Sequence, residues 1–336
     1  MSACPAFSHV LVFPHLRVQN ANAISSPLTH GFPSMTAFLG LMWALQRKAN
    51  AAGLDIQFSA VGVVCHQHQE QATEGGFIGS FHLTRNPVGK DGGSAAIVEE
   101  GRIHLQLSLL LAADSPRWAL EPAARDADLA TLAELLAGMR IAGGSVMPPA
   151  QPWRRRYQPW ALDLTGTGKD RQALFAKARM RLLPGFSLVG RDDLLAQRQQ
   201  QREASGDANP LDAWLSLARI NWRWATDEPD GKGAWSHDRA GNGWIVPIPV
   251  GYGALGELHS AGSVANTRDA HTPFRFVESL YSVGQWISPH RLHCVESLLW
   301  YAERPTNAGV YRCRNDHATT LDDAELDVTF DLDTSY

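Results

Sequence analysis

Within residues 103–111, apolar and polar side chains alternate from Ile103 to Leu109, and this pattern constrains the fold more than any other feature of the chain. The apolar positions are Ile103, Leu105, Leu107 and Leu109, and the polar ones are His104, Gln106 and Ser108. Successive side chains of a β-strand point to opposite faces of its sheet. A period of two therefore predicts a strand with one buried face and one polar face.

Two amphipathic helices are predicted on either side of this strand. Ser34 can cap the first, which runs to about Asn50 and stops near Gly53; the second lies near 126–139. Apolar residues at helical spacing give each helix one buried side. They are Phe38, Leu41, Met42 and Leu45 in the first helix, and Leu129, Leu132, Leu135, Leu136 and Met139 in the second.

Short strands at 10–13 and 56–65 and a tight loop at Gly143-Gly144 complete the order of elements. That order is strand, helix, strand, strand, helix, glycine loop. It predicts an α+β fold with a ferredoxin-like βαββαβ core. Because this fold hosts many functions, it indicates none by itself.

Composition divides the chain near residue 150. Residues 1–150 hold the predicted core, from which the glycine-rich segment at about 84–96 projects as a loop or thumb. Residues 151–315 form a C-terminal elaboration, and 316–336 form an acidic tail. The elaboration is rich in tryptophans, most of which we expect to fill a second core. They are Trp214, Trp222, Trp224, Trp235, Trp244, Trp286 and Trp300.

The net charge of −4 conceals an uneven distribution. Residues 316–336 contain seven acidic residues and no Lys or Arg, so residues 1–315 carry +3. Within them, the basic segment 151–204 holds eleven Lys or Arg against five Asp or Glu. This distribution is typical of a chain with an anionic partner and a solvated or autoinhibitory tail. Ordinary solvated helices explain the same charges, so charge alone leaves the choice open.

Length, cysteines and hydropathy exclude several classes of protein. A chain of 336 residues buries enough surface to fold without covalent staples. Its four cysteines, Cys4, Cys65, Cys294 and Cys313, form no C-x-x-C pair, which argues against a disulfide framework or a zinc ribbon. No apolar run reaches about 18 residues, and the N-terminus lacks a signal pattern. We therefore expect a cytoplasmic protein that does not contact a membrane.

A series of compositionally unusual motifs runs along the chain. They are QNANAISSPLTHGFPS (19–34), VGVVCH (61–66), LTRNP (83–87), AAIVEEGR (95–102), RIAGGSVMP (140–148), RLLPGFSLV (181–189), WIVPIPVGY (244–252), RFVESLYSVGQWISPHR (275–291) and LLWY (298–301). In type and order they closely resemble the Csy-two family of type I-F CRISPR systems, a Cas-five-type RAMP subunit. Residues 149–180 and 200–243 match this family weakly, and the tail after Cys313 is an addition.

The resemblance implies an RRM-like RAMP core with a thumb-like hairpin. It implies a non-catalytic subunit of a crRNA-guided, Cascade-like surveillance complex. That subunit holds the 5′ handle of the CRISPR RNA (crRNA) and pairs with the large subunit. The backbone RAMP subunit and target DNA near the protospacer-adjacent motif are further implied partners. Neither a cofactor nor a metal is implied.

Holding single-stranded RNA requires cations near phosphates, short polar groups for base edges and 2′-hydroxyls, and flat side chains for stacking. Residues of these types lie in the motifs and in the basic segment. The candidate RNA-binding residues are Asn20, Asn22, Ser25, Ser26, Arg85, Asn86, Lys90, Gly143, Gly144, Arg154, Arg155, Arg156, Arg179, Arg181, Arg268, Arg275, His290 and Arg291.

Each group of candidates has a structural alternative. The Asn and Ser residues can bond to their own loop, and the two glycines can end a helix. The residues near the thumb can be incidental charge on an exposed loop. The arginines can coat a solvated face or pair with Glu278 and Glu296.

An enzymatic function has weaker support in the sequence. The Cys65–His68 cluster offers three metal ligands within four residues at the end of a strand, which suits tetrahedral zinc poorly. The runner-up hypothesis is a crRNA-processing endoribonuclease with a histidine general base facing the RNA. The candidates for that base are His15, His30, His66 and His104. A scaffolding subunit with little RNA contact is a third hypothesis.

Overall fold

The computed structural model describes residues 3–75, 78–85, 87–89, 91–95, 97–149, 151–206, 209–226, 233–303 and 309–320. Its strands are β1 (His9–Asn22), β2 (Ile24–Ser26), β3 (Thr29–His30), β4 (Gln57–Glu70), β5 (Ala72–Gly75), β6 (Ile78–Phe81), β7 (Leu83–Arg85), β8 (Ile97–Glu99), β9 (Arg102–Asp114), β10 (Arg140–Ile141), β11 (Gly144–Met147), β12 (Trp160–Asp163), β13 (Phe186–Gly190), β14 (Trp222–Thr226), β15 (Gly233–His237), β16 (Ile245–Ala254), β17 (Val277–Ile287), β18 (Leu299–Ala302) and β19 (Val310–Asn315).

The helices are α1 (Met35–Ala51), α2 (Pro116–Leu120), α3 (Ala124–Ala137), α4 (Gly168–Ala178), α5 (Asp192–Ala204) and α6 (Pro210–Ala218). Short 3₁₀ helices lie at Arg155–Tyr157, Arg179–Leu182, Pro289–Arg291 and Glu296–Leu298. Helices and strands are mixed along the chain, so the predicted α+β class is confirmed.

One 11-stranded sheet forms the centre of the fold. Its strands lie in the order β10-β11-β1-β9-β4-β13-β17-β16-β19-β18, and β12 also pairs with β1. The ladders that join β11, β1, β9 and β4 are all antiparallel. Along the chain these four strands are interleaved with α1 and α3 in the order strand, helix, strand, strand, helix, strand.

Helices α1 and α3 cover one face of these four strands. Ser34 caps α1 by accepting a hydrogen bond from the Thr36 N–H at 3.3 Å, and the predicted apolar stripe of α1 is buried. That stripe forms one cluster with leucines of α3 and with the apolar residues of β1, β4 and β9. Burying one such side chain completely contributes about 1.5–3 kcal/mol, so both helices are held chiefly by this face.

Strand β1 is longer than the strand predicted at 10–13, and it takes in the first residues of the motif at 19–34. Two β-bulges interrupt its pairing with β9. His15 and Asn20 adopt positive φ angles of 52° and 57° at these interruptions. A bulge adds one residue and shifts the period of two, which explains why the sequence pattern ended early.

The C-terminal half extends the same sheet across the boundary predicted near residue 150. Both β13 and β18 pair with β4. Gly62 permits the β18 crossing, because a Cβ at this position would overlap the Leu298 side chain. Trp300 is buried and donates its Nε1–H to the Leu188 carbonyl at 2.8 Å. The two halves therefore share a sheet and part of a core.

On the opposite face of the sheet, α4 and residues near β12 cover the first half of β1. Val10 and Val12 of β1 pack there with Leu162, Leu164 and Phe175. This cover does not reach the second half of β1, where Arg17 and Gln19 lie on this face.

Two small hairpins, β5–β6 and β7–β8, join β4 to β9. The predicted thumb at 84–96 falls on the second of them. Asn86 and Lys90 lie outside the described residues, and so does the side chain of Arg85. The described part of the two hairpins exposes several apolar side chains: Ile78, Leu83, Val88 and Ile97.

Most of the tryptophans in the C-terminal half do not fill a second core, so that expectation is wrong. Trp214 and Trp300 are buried, and Trp286 is half-buried. Three of the others lie on the separate hairpin β14–β15, which is too narrow to bury both of its faces. The side chains that are more than half exposed are Trp222, Trp224, Trp235 and Trp244.

The start of the predicted acidic tail belongs to the fold. Asp316 accepts hydrogen bonds from the Cys4 N–H at 2.7 Å and from the Tyr301 hydroxyl at 2.6 Å. Residues 321–336 lie outside the described residues. No helix in the described part of the chain is long and apolar enough to span a membrane.

Candidate nucleic-acid interface

A polar groove crosses the uncovered half of the central sheet. Gln106 of β9 lies directly opposite Arg17 of β1 on one side and Gln67 of β4 on the other. His104 of β9 lies opposite Gln69 of β4. Residues directly opposite one another share a face, so these side chains line one open groove of about 780 Å³. The sequence contained a signal for it in the polar face of the strand at 103–111.

Two stacked histidines close one end of this groove. The rings of His15 and His66 lie 4.1 Å apart, and Arg156 lies 3.3 Å from His15 Nε2. Burial lowers the pKa of His15 to about 4, with smaller contributions from His66 and Arg156. Burial also lowers the pKa of His66, whose two ring nitrogens bond to the Pro184 carbonyl at 2.6 Å and to a serine hydroxyl at 2.7 Å. Both imidazoles are therefore neutral at pH 7.

A cluster of arginines lies beside the histidines. Arg154, Arg155 and Arg156 are exposed around one short 3₁₀ helix. The Arg181 guanidinium stacks 3.9 Å from the centre of the Trp160 ring. Burial lowers the pKa of Arg181, and the nearby charge of Arg155 lowers it further. Like charges held this close favour an anionic ligand that neutralises them.

The predicted polar residues after the first strand lie at the other end of the groove. The N–H of Asn20 donates to His104 Nδ1 at 3.1 Å, and the N–H of Asn22 donates to the Ala142 carbonyl at 2.9 Å. The second contact brings Asn22 next to the predicted glycine turn. Ala142 and Gly143 have φ angles of 47° and 80°, which is the conformation of a two-residue hairpin turn. The helix-end alternative for these glycines is wrong.

Local hydrogen bonds already use much of this polar loop. The Asn22 side chain bonds to the backbone of Ile24, and the hydroxyls of Ser25 and Ser26 both bond to Thr29. Gly144 packs on β1, since a Cβ there would lie 2.6 Å from the Ala21 nitrogen. The structural alternative given for Asn22, Ser25 and Ser26 is thus present, and an RNA role for them stays a prediction.

An aromatic cavity adjoins the groove, and the sequence did not predict it. Its volume is about 300 Å³, and it shares His66 and His68 with the groove. Its aromatic walls are Phe32, Phe186, Trp244 and Trp286. These rings come from four distant places in the chain, so no local pattern could have joined them. The only signal was that each belongs to one of the recognised motifs.

Comparison with known sequences agrees with the motifs. The family model of the CRISPR-associated protein Cas_Csy2 matches residues 11–313. The CRISPR-associated protein Csy2 of Pseudomonas aeruginosa (strain UCBPP-PA14) is 44% identical over 313 residues, which cover 90% of this chain and 94% of that protein. The chain belongs to the Csy2 family. The resemblance to this type I-F CRISPR family is therefore confirmed.

The Csy2 match covers every candidate residue and ends before the acidic tail. Within the matched part, the structure leaves some candidates away from the groove. Arg268 and Arg275 precede β17, whereas His290 and Arg291 follow it. Eleven residues of strand separate the two pairs by about 35 Å, so one short RNA segment cannot join all four at a single point.

The 3₁₀ helix that holds Arg179 and Arg181 contacts the one that holds His290 and Arg291. Arg179 donates to the Leu292 carbonyl and so has a structural role. Glu296 is one of the two carboxylates predicted to pair with the C-terminal arginines, and in the structure it pairs with Arg171 at 2.7 Å.

The described residues contain no group of three or more His, Cys, Asp or Glu side chains that could hold a metal ion. Cys65 is buried, and its thiol donates to the Gln67 carbonyl at 3.6 Å. Burial raises the pKa of this thiol to about 12, which keeps it protonated and unreactive.

Proposed function

We propose that this chain is a non-catalytic RNA-binding subunit of a type I-F crRNA-guided surveillance complex, in which it holds the 5′ handle of crRNA. Membership of the Csy2 family supports the CRISPR role. The observation that carries RNA binding is the polar groove, with Arg17 inside it and the arginines at 154–156 and Arg181 at its end.

The topology supports a ferredoxin-like, RRM-like RAMP core. The four strands β11, β1, β9 and β4 lie side by side, although the chain visits them in the order β1, β4, β9, β11. This arrangement, with α1 and α3 on one face, is that of a split βαββαβ unit. Such units bind RNA on the sheet face that their helices leave open, and the groove lies on that face.

Exposed apolar surfaces on two separate parts of the fold support protein partners. The hairpin β14–β15 aligns Trp222, Trp224 and Trp235 on one face, and large aromatic side chains are common anchors of interfaces. We assign this face to the large subunit. The exposed apolar residues of the thumb hairpins suit the neighbouring backbone RAMP subunit, and target DNA lies near the large-subunit side. All four cysteines are unpaired, which agrees with action in the cytoplasm.

The histidines support a binding role over the runner-up role of endoribonuclease. His15 and His66 are neutral, and each is held by contacts within the protein. The His104 ring accepts from the Asn20 N–H, and His30 pairs with Glu70 at 2.9 Å. Each of the four has at least one ring nitrogen bonded within the protein, whereas a general base needs a free nitrogen that faces the RNA.

Binding of labelled handle RNA to the purified chain, with its large subunit, tests this function. We expect the RNA to stay intact, and log affinity to fall with log salt at about −0.7 per phosphate neutralised. Arg17→Ala and Arg156→Ala should each weaken binding by about 1 kcal/mol and reduce the salt slope. Arg47→Ala, an exposed arginine of α1 on the helix-covered face, is the matched control.

Three outcomes contradict the proposal. Site-specific cleavage of precursor crRNA that His66→Ala abolishes would establish the endoribonuclease instead. Absence of RNA binding by the assembled pair would establish a scaffold. Equal losses in the groove variants and the Arg47→Ala control would move the RNA site away from the groove.

A further inference from the structure

We infer that the aromatic cavity is a pocket for one nucleobase that carries an exocyclic amino group, and that Glu70 selects this base. The inference rests on the proposed RNA-binding function. It adds the class of base that the site accepts and the residue that recognises it.

The cavity walls contain two pairs of aromatic rings. Trp244 and Phe186 meet edge to face at 5.8 Å, and Trp286 and Phe32 meet in the same way at 5.0 Å. Trp244 is 55% exposed and Phe186 is 44% exposed, so both present ring surface to an incoming group. Bases stack on such rings in proteins that bind single-stranded RNA.

The cavity lies within reach of an RNA strand in the groove. His66 and His68 at the edge of β4 line both spaces. Beyond Cys65 the edge of β4 no longer pairs with β13, so the groove on one face is continuous with the cavity on the other. A backbone that follows the polar groove can therefore turn one base around this edge.

Glu70 supplies an acceptor within an otherwise apolar wall. It lies directly opposite Ile103 of β9, which is buried on the helix-covered face of the sheet. Its side chain is 25% exposed, and His30 bonds to one of its oxygens, Oε1, at 2.9 Å. A carboxylate requires a donor from its ligand.

Two of the other polar side chains of the cavity, His66 and Cys65, have partners within the protein. Both nitrogens of the His66 ring are bonded, and the Cys65 thiol bonds to a backbone carbonyl. Among the described residues Glu70 is the one carboxylate that lines the cavity, and the remaining polar side chain, His68, is exposed at the edge shared with the groove. Adenine, cytosine and guanine each present an amino group, whereas the single N–H of uracil lies between two carbonyl oxygens that a carboxylate repels.

An abasic scan provides the test. The chain paired with its large subunit is titrated with its own 5′ handle RNA, intact or with one base removed at each position in turn. We expect Trp244→Ala and Phe186→Ala each to weaken binding of intact RNA by about 10-fold. At one position of the handle, removing the base should weaken binding by the same factor. With RNA that lacks this base, Trp244→Ala should cause no further loss of affinity. Trp43→Ala, a surface tryptophan of α1, is the control, and melting temperatures verify that each variant is folded.

Replacing the base at that position tests the role of Glu70. Wild-type protein should prefer an amino-bearing base over uracil by about 10-fold, and Glu70→Gln should remove this preference, since an amide can donate as well as accept. The stacking variants should weaken all bases alike.

The outcomes separate this inference from the proposed function. Handle RNA could bind while the losses of binding free energy from Trp244→Ala and from base removal are additive at every position. That result would refute the pocket and leave RNA binding in place. If Trp244→Ala releases the large subunit and leaves RNA affinity unchanged, the cavity binds a protein side chain instead. If the wild-type pair binds no RNA, both proposals fail.

Discussion

Buried histidines are the residues through which pH acts on this fold. The pKa of His15 is about 4 in the folded protein, mainly because of burial, against about 6.5 in an unfolded chain. The unfolded state therefore binds more protons between pH 6.5 and pH 4. The free energy of unfolding must fall as the pH decreases through that window.

We predict that His15 alone lowers the free energy of unfolding by about 2 kcal/mol between pH 7 and pH 5. Urea unfolding at the two pH values measures this change in wild-type protein and in His15→Phe. The variant removes the titrating ring, so its stability should depend less on pH. If the free energy of unfolding changes between pH 7 and pH 5 by the same amount in the variant as in wild-type protein, His15 is protonated equally in the folded and unfolded states.

Gly144 shows how the fold uses a missing side chain close to the groove. A Cβ at this position would lie 2.6 Å from the Ala21 nitrogen and 2.8 Å from its Cα. We predict that Gly144→Ala forces β11 away from β1 and costs about 1–3 kcal/mol. In Gly40→Ala of α1, the added Cβ meets no atom within 4 Å. This variant should raise the free energy of unfolding by about 0.5–1 kcal/mol. Thermal unfolding of both variants tests these two predictions. Similar shifts of the melting temperature in the two variants would contradict the steric explanation.

At the scale of elements, caps and apolar stripes in the local sequence predicted the helices. The pairing of strands that are distant in the chain could not be predicted in this way. Helix α1 has its cap and its apolar stripe within a few residues, so it could be read directly. The second half of β1 could not, because its bulges place His15 and Asn20 at positive φ. Strands β13 and β18 reach β4 only after more than a hundred residues of chain, and no local pattern specifies such a partner.

The same distinction holds for the candidate site. The polar face of β9 could be predicted because its alternation is local, and the structure adds matching positions on β1 and β4. The predicted arginines Arg155 and Arg181 are brought together beside Trp160, although 26 residues of chain separate them. The aromatic cavity required four distant rings, so only the folded chain shows it.

The hairpin β14–β15 carries a prediction at this scale. Trp224 and Trp235 lie opposite each other with rings 5.5 Å apart, and both are exposed. Replacing both with Ser should reduce affinity for the large subunit by at least about 30-fold, as expected for aromatic anchors worth 2 kcal/mol. The melting temperature of the chain alone should change little. Trp43→Ser on α1 serves as the control in the same binding assay, and equal affinities for all three proteins would exclude the hairpin as an anchor.

At the scale of the whole molecule, the sheet makes the two halves interdependent. Residues Leu188, Ile248 and Trp300 of the C-terminal half belong to the same core cluster as α1 and α3. Strand β4 is flanked by β9 from the first half and by β13 and β18 from the second. The groove and the cavity lie along this seam, so the position of the site depends on both halves.

Charge separation along the chain gives the last prediction. Residues 321–336 hold six of the acidic residues and no Lys or Arg, so without them the net charge changes from −4 to +2. An acidic segment repels RNA that approaches the basic groove, and salt at 0.1 M screens such repulsion beyond about 10 Å. Deleting 321–336 should therefore raise RNA affinity several-fold at 50 mM salt and have little effect at 0.5 M. A variant of full length, with the six acids replaced by Asn or Gln, should behave like the deletion. If only the deletion raises affinity, the tail acts by occupying space; if neither variant does, the tail has no part in RNA binding.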